Sequence, residues 1–189
     1  MAFDGSNIWV TNFGINPGTV TELLASTGAV VGTYTVGTLP VGVAFDGSNI
    51  WVANHFSNTV TKLLASTGAV LGTYTVGTNP YGVAFDGSNI WVANEYSNTV
   101  TKLLASSGTV VGTYSVGTYP SGVAFDGNNI WVANYATSSP GTVTKLSAST
   151  GAVLGTYSVG SYPSGVAFDG SNIWVANNGS NTVTNIPVY

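Results

Sequence analysis

Few side chains in this sequence can move a proton or hold a cation. Its 189 residues include one histidine, two glutamates, five aspartates and three lysines, with no arginine and no cysteine. His55 and Glu95 lie 40 positions apart and could act as a general acid and base, if the fold brings them within hydrogen-bond reach directly or through one water. No Ser–His–Asp signature accompanies them. The five aspartates, Asp4, Asp46, Asp86, Asp126 and Asp169, all stand in the string Asp-Gly-Ser-Asn or Asp-Gly-Asn-Asn. A ring of such carboxylates could hold a hard cation through oxygen ligands. The same residue types also build an Asx-type turn, in which Asp bonds the backbone and Gly supplies a positive φ. Turn chemistry alone accounts for them, so no metal and no cofactor are expected.

The frame that positions these residues is a repeat. Ala-Phe-Asp-Gly recurs at Ala2, Ala44, Ala84, Ala124 and Ala167, with spacings of 42, 40, 40 and 43 residues, and Trp9, Trp51, Trp91, Trp131 and Trp174 keep the same phase. Val43–Gly82 and Val83–Gly122 differ at only eight of 40 positions. Each unit reads as four short strands, for example Val43–Phe45, Ile50–Ala53, Thr59–Ala65 and Ala69–Val76, separated by turn-forming residues. Four strands at a period of about 40–45 residues is the β-propeller signature. The expected fold is all-β: a five-bladed β-propeller of four-stranded antiparallel blades, one domain with blades at 1–41, 42–81, 82–121, 122–164 and 165–189. The last blade lacks its outer strand, and Pro187 interrupts its third; as a residue tolerated mainly on edge strands, it reads as the blunting of a terminal edge. The tryptophans sit mid-strand and are expected to fill the wedges between blades. Tyr34, Tyr74, Tyr114 and Tyr157 in the fourth strands are expected to be structural as well.

Asn79-Pro80-Tyr81-Gly82-Val83-Ala84, Ile90-Trp91-Val92-Ala93-Asn94 and Asn98-Thr99-Val100-Thr101 resemble the YVTN repeat, and Trp9-Val10-Thr11-Asn12 is close to the string that names it. That family is related to the NHL-type and virginiamycin B lyase-like propellers. The resemblance covers essentially the whole chain and implies the fold. It leaves activity open, because such repeats occur in surface proteins, binding modules and a few enzymes.

In a propeller the second-to-third and fourth-to-first loops share one face, the top. Bottom turns here are nearly constant, whereas top loops carry most changes of chemical character. Of the eight differences between units two and three, four fall in these loops. Exposed loops drift, yet the bottom turns are exposed too and have not diverged. The top loops thus nominate a site: Phe13, His55, Phe56, Asn79, Tyr81, Glu95, Tyr96, Tyr119, Tyr135, Tyr162 and Asn178. This set is aromatic and almost uncharged. Tyrosine joins an apolar body to a polar tip, which suits mixed ligands and interfaces.

The first expectation is a non-enzymatic module recognising a glycan, peptide or protein on this face. A second is a structural or assembly component of a surface layer, fibre or particle, or an engineered repeat scaffold, with self-association through the open edge of the fifth blade. The third follows from the resemblance: a metal-assisted lyase- or lactonase-like enzyme using His55 and Glu95. Composition narrows the partners. Only 5% of residues are charged, against about 25% in an average domain, and a net charge of −4 provides no cationic footprint for nucleic acid. Mean hydropathy is high, at +0.30, but Gly, Thr, Ser or Asn interrupts every apolar run well short of the ~20 residues of a membrane span, so membrane insertion is not expected. The chain opens without a basic and apolar leader; an extracellular or cell-surface setting is expected.

Overall fold

The computed structural model describes residues 1–14, 16–136 and 140–188. The chain folds into five antiparallel sheets, each formed from consecutive strands. Blade 1 contains β1 (Ala2–Phe3), β2 (Asn7–Asn12), β3 (Thr19–Leu24) and β4 (Val30–Thr35), and blade 2 contains β5 (Pro40–Phe45), β6 (Asn49–Asn54), β7 (Thr59–Leu64) and β8 (Val70–Thr75). Blade 3 contains β9 (Pro80–Phe85), β10 (Asn89–Asn94), β11 (Thr99–Leu104) and β12 (Val110–Ser115). Blade 4 follows with β13 (Pro120–Phe125), β14 (Asn129–Asn134), β15 (Thr142–Ser147) and β16 (Val153–Ser158), and blade 5 with β17 (Pro163–Phe168), β18 (Asn172–Asn177) and β19 (Thr182–Pro187). The expected five-bladed architecture, with three strands in the last blade, is the one observed.

The first strands of blades 2 to 5 begin earlier than Val-Ala-Phe suggests. Each opens on a proline, at Pro40, Pro80, Pro120 and Pro163, the position in a strand where a missing N–H costs least. A register shift follows at once, between Pro40 and Val43 in blade 2. Pro187 does not interrupt β19 but ends it, paired with Asn172.

The core lies between blades. Trp9 and Val20 of blade 1 pack on Ile50, Val52 and Leu63 of blade 2. Trp51 and Val60 repeat this on Ile90, Val92 and Leu103, Trp91 and Val100 on Ile130, Val132 and Leu146, and Trp131 and Val143 on Ile173, Val175 and Ile186. Alternation along the strand explains the pattern: Trp51 and Ala53 face the next blade, while Ile50 and Val52 face the previous one. Trp174 departs from the expected core role. It is 42% exposed where its four counterparts are 0%, because no following blade covers its face.

Further contacts lock individual boundaries. Tyr34 stacks on Trp9 at 5.5 Å and reaches the bottom turn of blade 2, where a side chain at Gly68 would overlap its ring. Tyr74 and Tyr114 make the same approach to Gly108 and Gly151. Lys62, buried opposite Trp51, lies 5.1 Å over the indole, and its ammonium donates to the Ala105 and Ser106 carbonyls of blade 3 at 2.7 and 3.3 Å. Lys102 does the same to Ala148 and Ser149. These cations tie one blade to the next, and among the described residues neither has a carboxylate partner.

Candidate functional site

The top platform begins at the asparagine that ends each second strand. Asn54 is fully buried; its amide donates to Thr59 Oγ1 and Thr61 Oγ1 at 3.1 and 2.8 Å and its oxygen accepts the Gly37 N–H at 3.0 Å. The residues just after it are then laced to the preceding loop. His55 N–H donates to the Leu39 carbonyl at 3.0 Å and Phe56 N–H to Thr38 at 3.2 Å. Glu95 to Asn79, Tyr135 to Tyr119 and Asn178 to Tyr162 repeat the first bond at 3.0, 2.9 and 3.0 Å. The two top loops of a blade therefore form one support.

Leu39, Asn79, Tyr119 and Tyr162 all hold φ between +51° and +54°. That conformation costs a leucine or tyrosine on the order of 1–2 kcal/mol. The backbone pays in part through hydrogen bonding: Asn58 Oδ1 accepts the Asn79 N–H and Asn98 Oδ1 the Tyr119 N–H, both at 2.9 Å. Since the strain recurs in four loops, it belongs to the loop design and not to any single site.

Side chains of blades 1 to 3 converge on a cleft of about 360 Å³ lined by Thr11, Phe13, Pro40, Val41, His55, Tyr81 and Glu95. Both ring nitrogens of His55 have partners. Its Nε2 lies 2.9 Å from Asn79 Nδ2 and its Nδ1 lies 3.4 Å from the Pro80 carbonyl. With the Asn79 amide donating, Nε2 accepts and the ring proton sits on Nδ1, facing that carbonyl. The ring stacks on Phe56 at 5.4 Å and meets the edge of Tyr81 at 6.1 Å. Glu95 Oε2 lies 3.7 Å from Nε2, which is an ion-pair distance for a protonated imidazole but too long for a hydrogen bond.

Four of the nominated residues, Phe13, His55, Tyr81 and Glu95, thus share one cleft, with Asn79 buried beneath His55 and Phe56 exposed behind it. The others form separate stations along the same face. Tyr96 meets Tyr119 edge-on at 5.7 Å, and Tyr135 stacks on Tyr162 at 5.0 Å. Asn178 is exposed on blade 5. Of the top loop that begins at Tyr135, residues 137–139 lie outside the described residues, as does Ile15 of the blade 1 loop. Thr11, Pro40 and Val41 were not nominated from sequence. Thr11 stands where the other blades carry alanine, and its Oγ1 donates to the Val41 carbonyl at 2.8 Å; that single substitution was the available signal.

The bottom face has a different chemistry. Asp46 Oδ1 accepts the Ser48 and Asn49 N–H groups at 2.9 and 2.7 Å, and Oδ2 accepts the Trp51 indole N–H at 2.7 Å. The indole bond repeats at Asp4, Asp86, Asp126 and Asp169, at 2.8, 2.8, 2.7 and 2.6 Å. Burial pushes the Asp46, Asp86 and Asp126 carboxyls up, but the bonds from the indole, the following asparagine and the backbone outweigh it and hold all three below the usual carboxylate range. Their lone pairs are already used by the turn and the tryptophan. Polar grooves of about 460 and 610 Å³ lie on this side. They recur at equivalent places between blades 2 and 3 and between 3 and 4, so they belong to the repeat. Among the described residues, no three His, Cys, Asp or Glu side chains cluster as metal ligands.

No family model and no curated protein matches the sequence. Solved structures do match in fold. Hydrazine synthase from Kuenenia stuttgartiensis superposes with a TM-score of 0.76 at 18% identity, covering 100% of this chain and 64% of that one. A functionally unknown protein from Desulfotomaculum acetoxidans gives 0.78 at 18% identity, covering 97% and 66%. A candidate 6-phosphogluconolactonase from Bacteroides uniformis gives 0.80 at 13% identity, covering 99% and 65%. The chain thus spans less than two thirds of each of these structures. At such identities the likeness is one of fold: this chain is similar to repeat-built, propeller-type proteins of varied function.

Proposed function

We propose that the chain is a non-enzymatic recognition module. Its top-face cleft takes an uncharged ligand that carries both apolar faces and hydroxyl or amide groups, as on a glycan or a peptide segment of a protein partner. The observation that carries this reading is the cleft formed by Phe13, Tyr81, His55 and Glu95. Two aromatic walls stand beside an imidazole whose orientation is fixed by Asn79 and Pro80. A rigid, partly exposed aromatic surface with a few fixed polar groups is the usual make-up of a small binding site. The tyrosine pairs 96/119 and 135/162 supply further contact area along the same face for a longer ligand.

A lyase- or lactonase-like reaction has one specific observation in its favour, the approach of His55 and Glu95. Among the described residues no third acidic or histidine side chain joins them, and Nε2 is already occupied by Asn79. Recognition therefore fits the geometry better. We assign the repeat to the YVTN/NHL type on its Trp-Val-Thr-Asn and Asn-Thr-Val-Thr strings. A cell-surface or extracellular setting suits a module of this kind.

The test is a screen of the chain against glycan and peptide arrays, followed by titration of the best binder. Tyr81→Ala and Phe13→Ala alter exposed side chains, and each is expected to weaken binding by about tenfold (1.4 kcal/mol) or more. Hydrolysis or elimination of lactone substrates that disappears in both His55→Ala and Glu95→Gln would replace recognition with catalysis.

A further inference from the structure

The four blade boundaries inside the chain share one interface, and the chain carries both halves of a fifth. On one side of each boundary are a tryptophan and a valine; on the other are an isoleucine, a valine and a leucine or isoleucine. Blade 5 presents the first half outward. Trp174 is 42% exposed and Val183 62%, against 0% for Trp131 and Val143 one blade earlier. Blade 1 presents the second half outward. Ile8, Val10 and Leu23 are half-buried, where Ile50, Val52 and Leu63 are fully buried.

We propose that the 189-residue chain associates head to tail, with the Trp174–Val183 face of one copy packing on the Ile8–Val10–Leu23 face of a second. The argument is continuity with an interface already built. Each face offers the apolar set that the other lacks, and the pairing repeats the tryptophan and valine on isoleucine, valine and leucine or isoleucine that join blades 1 to 5. Two features of the end faces leave room for it. Asn185 lies opposite Trp174 in the strand pair, where Lys62 and Lys102 lie opposite Trp51 and Trp91, so no charge is stranded on the tryptophan face. The Trp174 indole is already held by Asp169 and needs no rearrangement to dock. The contact differs from pairing at the open edge of β19, because it buries a sheet face and adds no strand. A head-to-tail contact closes into a ring when its rotations complete a turn and otherwise continues as an open helix.

The test uses two variants that each block one face without touching the Asp169–Trp174 bond, Val183→Lys and Val10→Lys. Light scattering of the unaltered chain should show a dimer or a concentration-dependent ladder, and each variant alone should stay monomeric. Each variant retains one intact face, complementary to the intact face of the other. An equimolar mixture should therefore restore association and stop at one copy of each. Quenching by iodide gives a second reading: in the dilute monomer one tryptophan of five is accessible, and in the assembly it is protected. A monomer at every concentration with Trp174 still quenched overturns the proposal. So does association that survives both substitutions, which would point to the β19 edge or to the top face instead.

Discussion

On the bottom face, Asp46, Asp86 and Asp126 repeat the same set of accepted hydrogen bonds from two backbone N–H groups, an asparagine amide and an indole. On the top face, the side chains that follow the buried asparagines are a histidine, a glutamate, a tyrosine and an asparagine. Both faces are exposed turns on the same strands, so exposure alone does not explain the difference. The bottom turns are uniform because each aspartate does double duty, closing its turn and orienting the tryptophan that fills the next wedge. The top loops hold their backbone with main-chain bonds, as in the His55–Leu39 and Glu95–Asn79 pairs, and with asparagine and serine acceptors such as Asn58 and Ser57. Their side chains are left free to differ. The bottom turns repeat one set of bonds, and the top loops carry the side chains that vary.

That division can be broken most sharply in the interior. Trp91→Ala removes a fully buried indole from a boundary and should cost about 3–5 kcal/mol, read from the midpoint of denaturant unfolding. Gly108→Ala follows. It places a side chain at φ +78° in the Tyr74 ring, and strain plus overpacking should cost about 2 kcal/mol or more by the same measurement.

Acid probes the bottom face as a set. The folded aspartates titrate below their ordinary value, so as pH falls the unfolded chain takes up protons first. The stability they contribute is complete above pH about 4 and is lost as pH drops through the folded values. Thermal melts should therefore be flat from pH 7 to 5 and fall steeply below 4. A fall already under way at pH 6 would contradict this assignment to the aspartates. Trp174→Ala should cost only about 1 kcal/mol, since much of that indole is already in water and little buried area is lost. Smallest of all is Tyr81→Ala, which should shift stability by no more than about 0.5 kcal/mol, as surface substitutions do.

The architecture was readable from sequence because its signals are local. The period of Ala-Phe-Asp-Gly, the turn residues and the strand-length apolar runs all act within one unit. The Asp46–Trp51 bond spans five residues and was within reach of the same reasoning, although only the turn half of it was drawn. What could not be read depends on neighbouring blades. Lys62 finds its acceptors 43 and 44 residues away, and nothing in its own unit shows that a lysine is buried there. The exposure of Trp174 is likewise a property of the missing neighbour, since its own strand matches the other four. Top-loop variability singled out His55, Tyr81 and Glu95. Their convergence with Phe13 required the blade-to-blade rotation that brings three loops over one cleft, and the same rotation separates Tyr135 and Tyr162 from it.

The most direct test sets one substitution on each face against a single ligand. A binder from the glycan or peptide arrays is titrated by calorimetry into Tyr81→Ala and into Ser88→Ala, a change in the blade 3 bottom turn. The account predicts a loss of about tenfold or more (1.4 kcal/mol) for Tyr81→Ala, with Ser88→Ala binding as the unaltered chain does. Undiminished binding by Tyr81→Ala together with loss in Ser88→Ala would contradict it and move the site to the bottom face.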